Sequence, residues 1–232
     1  MSRFILTVLA LALLMLVGAP AIAEPETGED AALLRQAIDG IHAFYAEKQG
    51  LQVLFSQRVR RRYRPGNSEG MERTGMAWFM KPGKMRWDYH SPNPVHYVSD
   101  GEVLWVYEVE EGVAYRGQVR GSRLYDSMKF LFGEGRLDQE FDITLEGSTD
   151  TEISIRMTPR SGQQAFQSLV LVVNRSDWEI QRSVLTDPAG DASEIVFKKV
   201  AYGAISNPNL FQWKPSSDII VHELGTRSEV SP

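Results

Sequence analysis

Cysteine is missing from all 232 residues. No disulfide framework can form, and no thiol is available as a lipid acceptor, so the fold must rest on packing alone. Catalytic motifs are missing too. There is no Gly-x-Ser-x-Gly elbow, and the four histidines, His42, His90, His96 and His222, are scattered without His-Glu-x-x-His or other close ligand spacing. Gly133-Glu134-Gly135 lacks the strand–loop–helix context and the Lys of a phosphate cradle, and Glu110-Glu111 falls in a turn, where carboxylates are solvated. No nucleophile, base and oxyanion donors can be assembled, so the expectation is a protein that is not an enzyme and has no catalytic residues, metal site or cofactor. A net charge of −5, with no long like-charge block, is unsuited to nucleic acid.

Long hydrophobic runs are confined to the beginning. Arg3 precedes an uncharged stretch from Phe4 to Val17 that is apolar but for Thr7, followed by Ala21-Ile22-Ala23. This reads as a secretory signal, residues 1–23, cleaved after Ala23. A membrane helix is the alternative, but the run is shorter than the roughly 20 residues a span needs and no basic flank follows. Residues 24–232 are then expected to be one soluble, exported domain with no membrane anchor.

What is present is periodicity. Leu34, Ala37, Ile38, Ile41, Phe44 and Tyr45 recur at helical steps, predicting an amphipathic helix capped by Asp30 and ending near Gly50. From Leu51 onward the period is two. Turn chemistry at Pro65-Gly66-Asn67, Pro82-Gly83, Asp100-Gly101, Glu111-Gly112, 174–177 and 187–190 divides the rest into about eleven strands, mostly antiparallel hairpins. The interruption is 122–133, where Leu124, Met128, Leu131 and Phe132 return to helical spacing, and a short strand is expected at 210–213 between Pro208 and Pro215. The fold class is mainly β with α. A strongly curved antiparallel sheet would form an incomplete, half-open barrel closed by the N-terminal helix and an inserted helical lid, with a closed lipocalin-like barrel as the alternative.

Met76, Trp78 and Met80, then Met85, Trp87 and Tyr89, then Trp105 and Tyr107 make aromatic and methionine stripes on successive strands. They read either as ordinary core or as the lining of an apolar site, where methionine adapts to flexible ligands. Arg58, Arg60, Arg61, Arg62 and Arg64 form a basic run, a solvated strand face or a surface for an acidic partner or anionic headgroups.

The order of parts in 79–107 is a Pro-Gly turn, an Arg-Trp strand, a Ser-Asp-Gly turn and a Leu-Trp-Val-Tyr strand. Phe55-Ser56-Gln57, Asp187-Pro188-Ala189-Gly190 before Ile195-Val196-Phe197, and Phe211-Gln212-Trp213-Lys214-Pro215 accompany it. Together, over about residues 31–221, they resemble the LolA family of outer-membrane lipoprotein carriers. The resemblance implies a periplasmic chaperone that takes lipid-modified lipoproteins from an inner-membrane ABC-type release complex and delivers them to an outer-membrane receptor, acting as a monomer. A carrier of another lipid or glycolipid, or a sensor of mislocalised lipoproteins, is the alternative. It further implies acyl-chain binding by Tyr45, Trp78, Met80, Met85, Trp87, Tyr89, Trp105, Tyr107, Met128 and Leu131. The family has Arg before the Pro of the Pro-Gly turn, where it latches the helical lid. Here that residue is Lys81, which keeps the charge but lacks the forked donor set.

Overall fold

The computed structural model describes residues 28–62, 70–119, 136–160 and 166–224. Helix α1 spans Gly28–Ala46 and buries Leu34, Ala37, Ile41 and Tyr45, the stripe its sequence spacing requires. Full burial of a Leu or Ile is worth about 1.5–3 kcal/mol, so this stripe holds the helix far more firmly than its propensity does. The helix is longer at its start and shorter at its end than expected. Glu29 and Asp30 lie inside the first turn, where they complement the helix dipole, and Gly50 is already the first residue of a strand.

The strands are β1 (Gly50–Arg60), β2 (Arg73–Met80), β3 (Lys84–Ser91), β4 (Val95–Ser99), β5 (Val103–Glu108) and β6 (Val113–Gln118). After a four-residue helix α2 (Leu137–Glu140) come β7 (Phe141–Ser148), β8 (Glu152–Pro159), β9 (Ser168–Asn174), β10 (Ile180–Thr186), β11 (Ala192–Tyr202) and β12 (Ile220–Glu223). All twelve belong to one sheet in the order β12-β6-β5-β4-β3-β2-β1-β11-β10-β9-β8-β7. Because β12 and β7 end that order without pairing to each other, the sheet is curved but not closed into a barrel, so the half-open arrangement holds rather than the closed one. One strand exceeds the expected count: β12 adds to β6 in parallel, Ile220 opposite Val113.

Turn residues close the hairpins by side-chain chemistry. Asp100 Oδ1 accepts from the N–H groups of Glu102 and Val103, and Asp187 Oδ1 accepts from those of Ala189 and Asp191. Gly75 in β2 has no room for a side chain. A Cβ there would stand 2.1 Å from the Asp88 carbonyl oxygen and 2.6 Å from the Phe55 ring. The strand expected at 210–213 is absent: Pro208–Phe211 is a 3-10 turn, with Asn207 accepting from the N–H of Asn209, because Pro208 fixes a helical φ at its start. The second helix expected at 122–133, the turn at 65–67 and the signal at 1–23 lie outside the described residues.

Pairing register assigns the two faces. Directly paired residues share a face, and neighbours along a strand alternate. The inner face carries Leu51, Val53 and Phe55 of β1, Ala77 and Phe79 of β2, Met85, Trp87 and Tyr89 of β3, and Ile153, Ile155 and Met157 of β8. These and the α1 stripe form one buried cluster, so the sheet wraps the helix.

Candidate functional site

The inner face beneath α1 is apolar and built around stacked rings. Trp87 lies 4.6 Å from Phe55 and 5.7 Å from Phe79, Phe55 lies 5.0 Å from Tyr89, and Tyr89 lies 6.0 Å from Tyr97, all between ring centroids. Met85, fully buried, pairs with Phe79 across β2–β3. Tyr45 reaches the same cluster from the last turn of α1. Four expected residues, Tyr45, Met85, Trp87 and Tyr89, are thereby brought together.

Four others are not. Trp78 pairs with Arg86 and Met80 with Lys84, while Trp105 pairs with Val98 and Tyr107 with His96, all on the outer face. There a C-terminal strap crosses β3–β5. Trp213 stacks 5.1 Å from both Trp105 and Tyr107, and Leu210 O accepts from Arg86 Nη1 at 3.3 Å. The expectation that these eight acyl-binding candidates line one surface is corrected accordingly: the pleat divides them, and the strap covers Trp105 and Tyr107. Met128 and Leu131 lie outside the described residues.

Polar side chains under the strap form their own network. Asp88 accepts from Arg86 Nε at 2.8 Å and is 2.7 Å from His96 Nδ1, and the His96 ring stacks on Tyr107. Burial alone would raise the Asp88 carboxyl. The hydrogen bonds of His96 and Arg86 outweigh it and hold the group below the usual carboxylate range. The histidines therefore do not converge. His222 lies beside Tyr115, and His42 belongs to α1.

Helix α1 is fastened by polar bonds at several points. Lys81 Nζ donates to the carbonyls of Tyr45 at 2.8 Å and Ala46 at 3.1 Å, groups a helix C-terminus leaves without intrahelical partners. Partial burial pushes the Lys81 ammonium down from its usual value. Tyr45 Oη accepts from the N–H of Ile180 at 3.1 Å, and burial pushes its phenol up to about 12. Tyr202 donates to Glu179 Oε1 at 2.8 Å, and its ring meets Phe44 edge-on. Near mid-helix, Gly40 is the seat of Trp178: a Cβ at Gly40 would fall 2.4 Å from that indole. His42 Nε2 accepts from the N–H of Leu137 at 3.1 Å, which requires a neutral ring nitrogen. Burial is the main cause lowering its pKa, aided by Arg136 and opposed by Asp138 and Asp39.

Gly40, His42, Trp178 and Tyr202 escaped sequence reasoning. Only Gly40 carried a signal, as a glycine inside a helical pattern, where it costs about 1 kcal/mol without a packing reason.

The inner face runs out beside Tyr89, where the Arg73 guanidinium lies 4.0 Å over the ring and Nη2 donates to Asn93 O. A cleft of about 420 Å³ opens there between Arg73 and Glu108. Of the basic run, Arg58 pairs with Glu72 at 3.7 Å, and the backbone N–H of Arg62 donates to Asp191 Oδ1; Arg64 lies outside the described residues.

The chain as a whole is similar to known proteins. Residues 46–214 fit the family model described as outer membrane lipoprotein carrier protein LolA. A protein of Methylococcus capsulatus named outer-membrane lipoprotein carrier protein is 31% identical over 79% of this chain and 86% of its own length. One of the same name from Dechloromonas aromatica is 27% identical over 77% and 84%. Among solved structures, an uncharacterized conserved protein from Thermus thermophilus superposes with a TM-score of 0.52 at 11% identity, covering 82% of this chain and 98% of that one, a likeness of fold alone. With a family model spanning most of its length and relatives aligned over most of theirs, this chain belongs to the LolA family of outer-membrane lipoprotein carrier proteins.

Proposed function

We propose that the protein is a periplasmic chaperone that receives lipid-modified proteins leaving the inner membrane, shields their acyl chains on the inner face of its sheet, and passes them to an outer-membrane receptor. The observation that carries this reading is the apolar surface of Phe55, Phe79, Met85, Trp87 and Tyr89, covered by a helix whose end is held by hydrogen bonds from Lys81 and from the N–H of Ile180.

Magnitudes favour such a device. Three acyl chains expose about 45 methylenes, and at ~0.8 kcal/mol each their hydration would cost on the order of 36 kcal/mol, which forbids free diffusion. The carrier needs to cover only part of those chains, and without cargo α1 covers the same surface. Helix and cargo then compete, and hydrogen bonds worth about 1 kcal/mol apiece tune a balance between two large, opposed burial terms. Lys81 acts as the latch, holding the helix down until cargo displaces it. A release complex of the ABC type on the inner membrane and a receptor on the outer membrane are the partners, with the carrier a monomer bound to one cargo molecule. No bond is made or broken on the carrier, and no cofactor is required.

The test adds purified protein to Gram-negative spheroplasts that make labelled lipoprotein. Label leaving the membrane as a soluble one-to-one complex is the expected result, and label retained while another LolA-family carrier releases it in parallel would overturn the proposal. The lid is tested separately. Since the chain has no cysteine, Tyr45→Cys and Met85→Cys can be joined by a flexible bismaleimide, and acyl-chain uptake that survives the crosslink would refute displacement of α1.

A further inference from the structure

Among the described residues, Trp87 is the most deeply enclosed aromatic of the inner face that carries a polar atom, and its buried indole N–H has no acceptor there. The N–H leans toward Tyr89, whose phenol it steadies slightly against the upward push of burial, but it lacks hydrogen-bond geometry to that hydroxyl. The other buried orphan among the described residues, Gln57 Oε1, also lies on this face, and Gln57 Nε2 is already committed to Ser193 Oγ at 2.6 Å. Neither orphan satisfies the other.

An unpaired buried donor is costly, because it gives up its hydrogen bond to water and gains none in return. A packing surface has no use for that cost, because Phe at this position would provide a similar aromatic face between Phe55 and Phe79 without it. A ligand surface does have a use for it. Chains of pure hydrocarbon offer the indole nothing, whereas an acyl chain begins with an ester or amide carbonyl, a strong acceptor that enters an apolar site already desolvated.

Resting on the carrier reading above, we infer that the Trp87 indole N–H is a recognition donor for the ester or amide carbonyl of an acyl chain bound on the inner face. The stacked rings of Phe55, Phe79 and Tyr89 cover the hydrocarbon without regard to its head, and Trp87 distinguishes acyl from alkyl. The donor is left unpaired when α1 closes the face, which weakens the closed state and favours exchange for cargo.

The experiment uses the exported protein and two probes of matched chain length, a dioleoyl glycerol diester and the dialkyl diether that lacks both carbonyls. Each competes against a fluorescent fatty acid. The wild type is expected to prefer the diester by roughly 2- to 10-fold, the range of one net hydrogen bond, and Trp87→Phe to bring the ratio close to one, whatever its absolute affinity. The 15N-labelled indole N–H resonance should move downfield with the diester and not with the diether. Equal binding of both probes by the wild type, or an undiminished ratio in Trp87→Phe, would overturn the inference while leaving the carrier reading intact. Binding of neither probe would overturn both.

Discussion

The ammonium of Lys81, at the turn between β2 and β3, sits 2.8 Å from the carbonyl oxygen of Tyr45 in the last turn of α1. One side chain thus joins the rim of the sheet to the end of the helix that plugs it, at C-terminal carbonyls where a cation complements the helix dipole; the Tyr45 carbonyl also accepts from the N–H of Lys48.

Removing that link is expected to loosen α1 without unfolding the protein. Lys81→Ala is expected to lower stability by about 0.3–1 kcal/mol, the range for a cation at a helix C-terminus. It should also raise amide exchange in residues 41–46 and speed acyl-chain uptake. Lys81→Arg, with its forked donors, should slow uptake relative to wild type. Hydrogen exchange and uptake kinetics on the three proteins provide the comparison, and an α1 exchange pattern unchanged in Lys81→Ala would show that the latch carries nothing.

Gly40 should accept no side chain. The Trp178 indole occupies the space of its Cβ at 2.4 Å, and Trp178 is itself held at φ 67° in a turn where Asp177 Oδ1 accepts from the N–H of Glu179. Gly40→Ala would gain helix propensity worth about 1 kcal/mol, yet is expected to lose a net 1–3 kcal/mol through overpacking. Urea denaturation decides the sign, and a stabilised Gly40→Ala would mean that Trp178 moves aside freely.

Mild acid should weaken α1. The folded His42 has its pKa below the 6.5 of the free side chain, so the unfolded chain takes up the proton first. Stability is therefore complete above pH 6.5 and falls as pH drops from 6.5 toward the lower folded value. Protonation also removes the Nε2 acceptor from Leu137. His42→Gln, which cannot titrate, should flatten this part of the stability–pH profile. Denaturant midpoints from pH ~7.5 to ~5 check it, and equal slopes in the two proteins would assign the titration elsewhere.

The two faces should separate by mutation. Trp105→Ala removes the ring against which Trp213 packs and is expected to cost about 2–4 kcal/mol of stability while leaving acyl-chain uptake by the remaining folded protein near wild type. Met85→Gln, on the buried inner face, should reduce uptake at least several-fold. Uptake measured per folded molecule is the readout, and sensitivity at Trp105 equal to that at Met85 would contradict the assignment of faces.

Much of the fold was legible because its signals are local. The α1 stripe from Leu34 to Tyr45, the period of two from Leu51 onward, and the Asp and Gly turns at 100–101 and 187–190 follow from backbone geometry that neighbouring residues alone dictate. Alternation also established that each strand has two sides. It could not establish which side faces inward, because in β2 and β5 both sides are apolar: Phe79 alternates with Trp78 and Met80, and Leu104 and Val106 alternate with Trp105 and Tyr107.

The larger side chains suggested the wrong side. On a sheet with one wet face Trp105 and Tyr107 would be drawn inward, but the strap around Phe211 and Trp213 supplies a second apolar cover some hundred residues away in the chain. A cysteine-free, mostly β chain with an amphipathic helix and aromatic stripes could be read from the residues in order, and their motifs pointed to the family. Which stripe lies under the helix, the meeting of Lys81 with Tyr45, and the seating of Trp178 on Gly40 emerge only in the folded molecule. Each of these depends on pairing between distant segments, and no local rule of propensity or period carries that information.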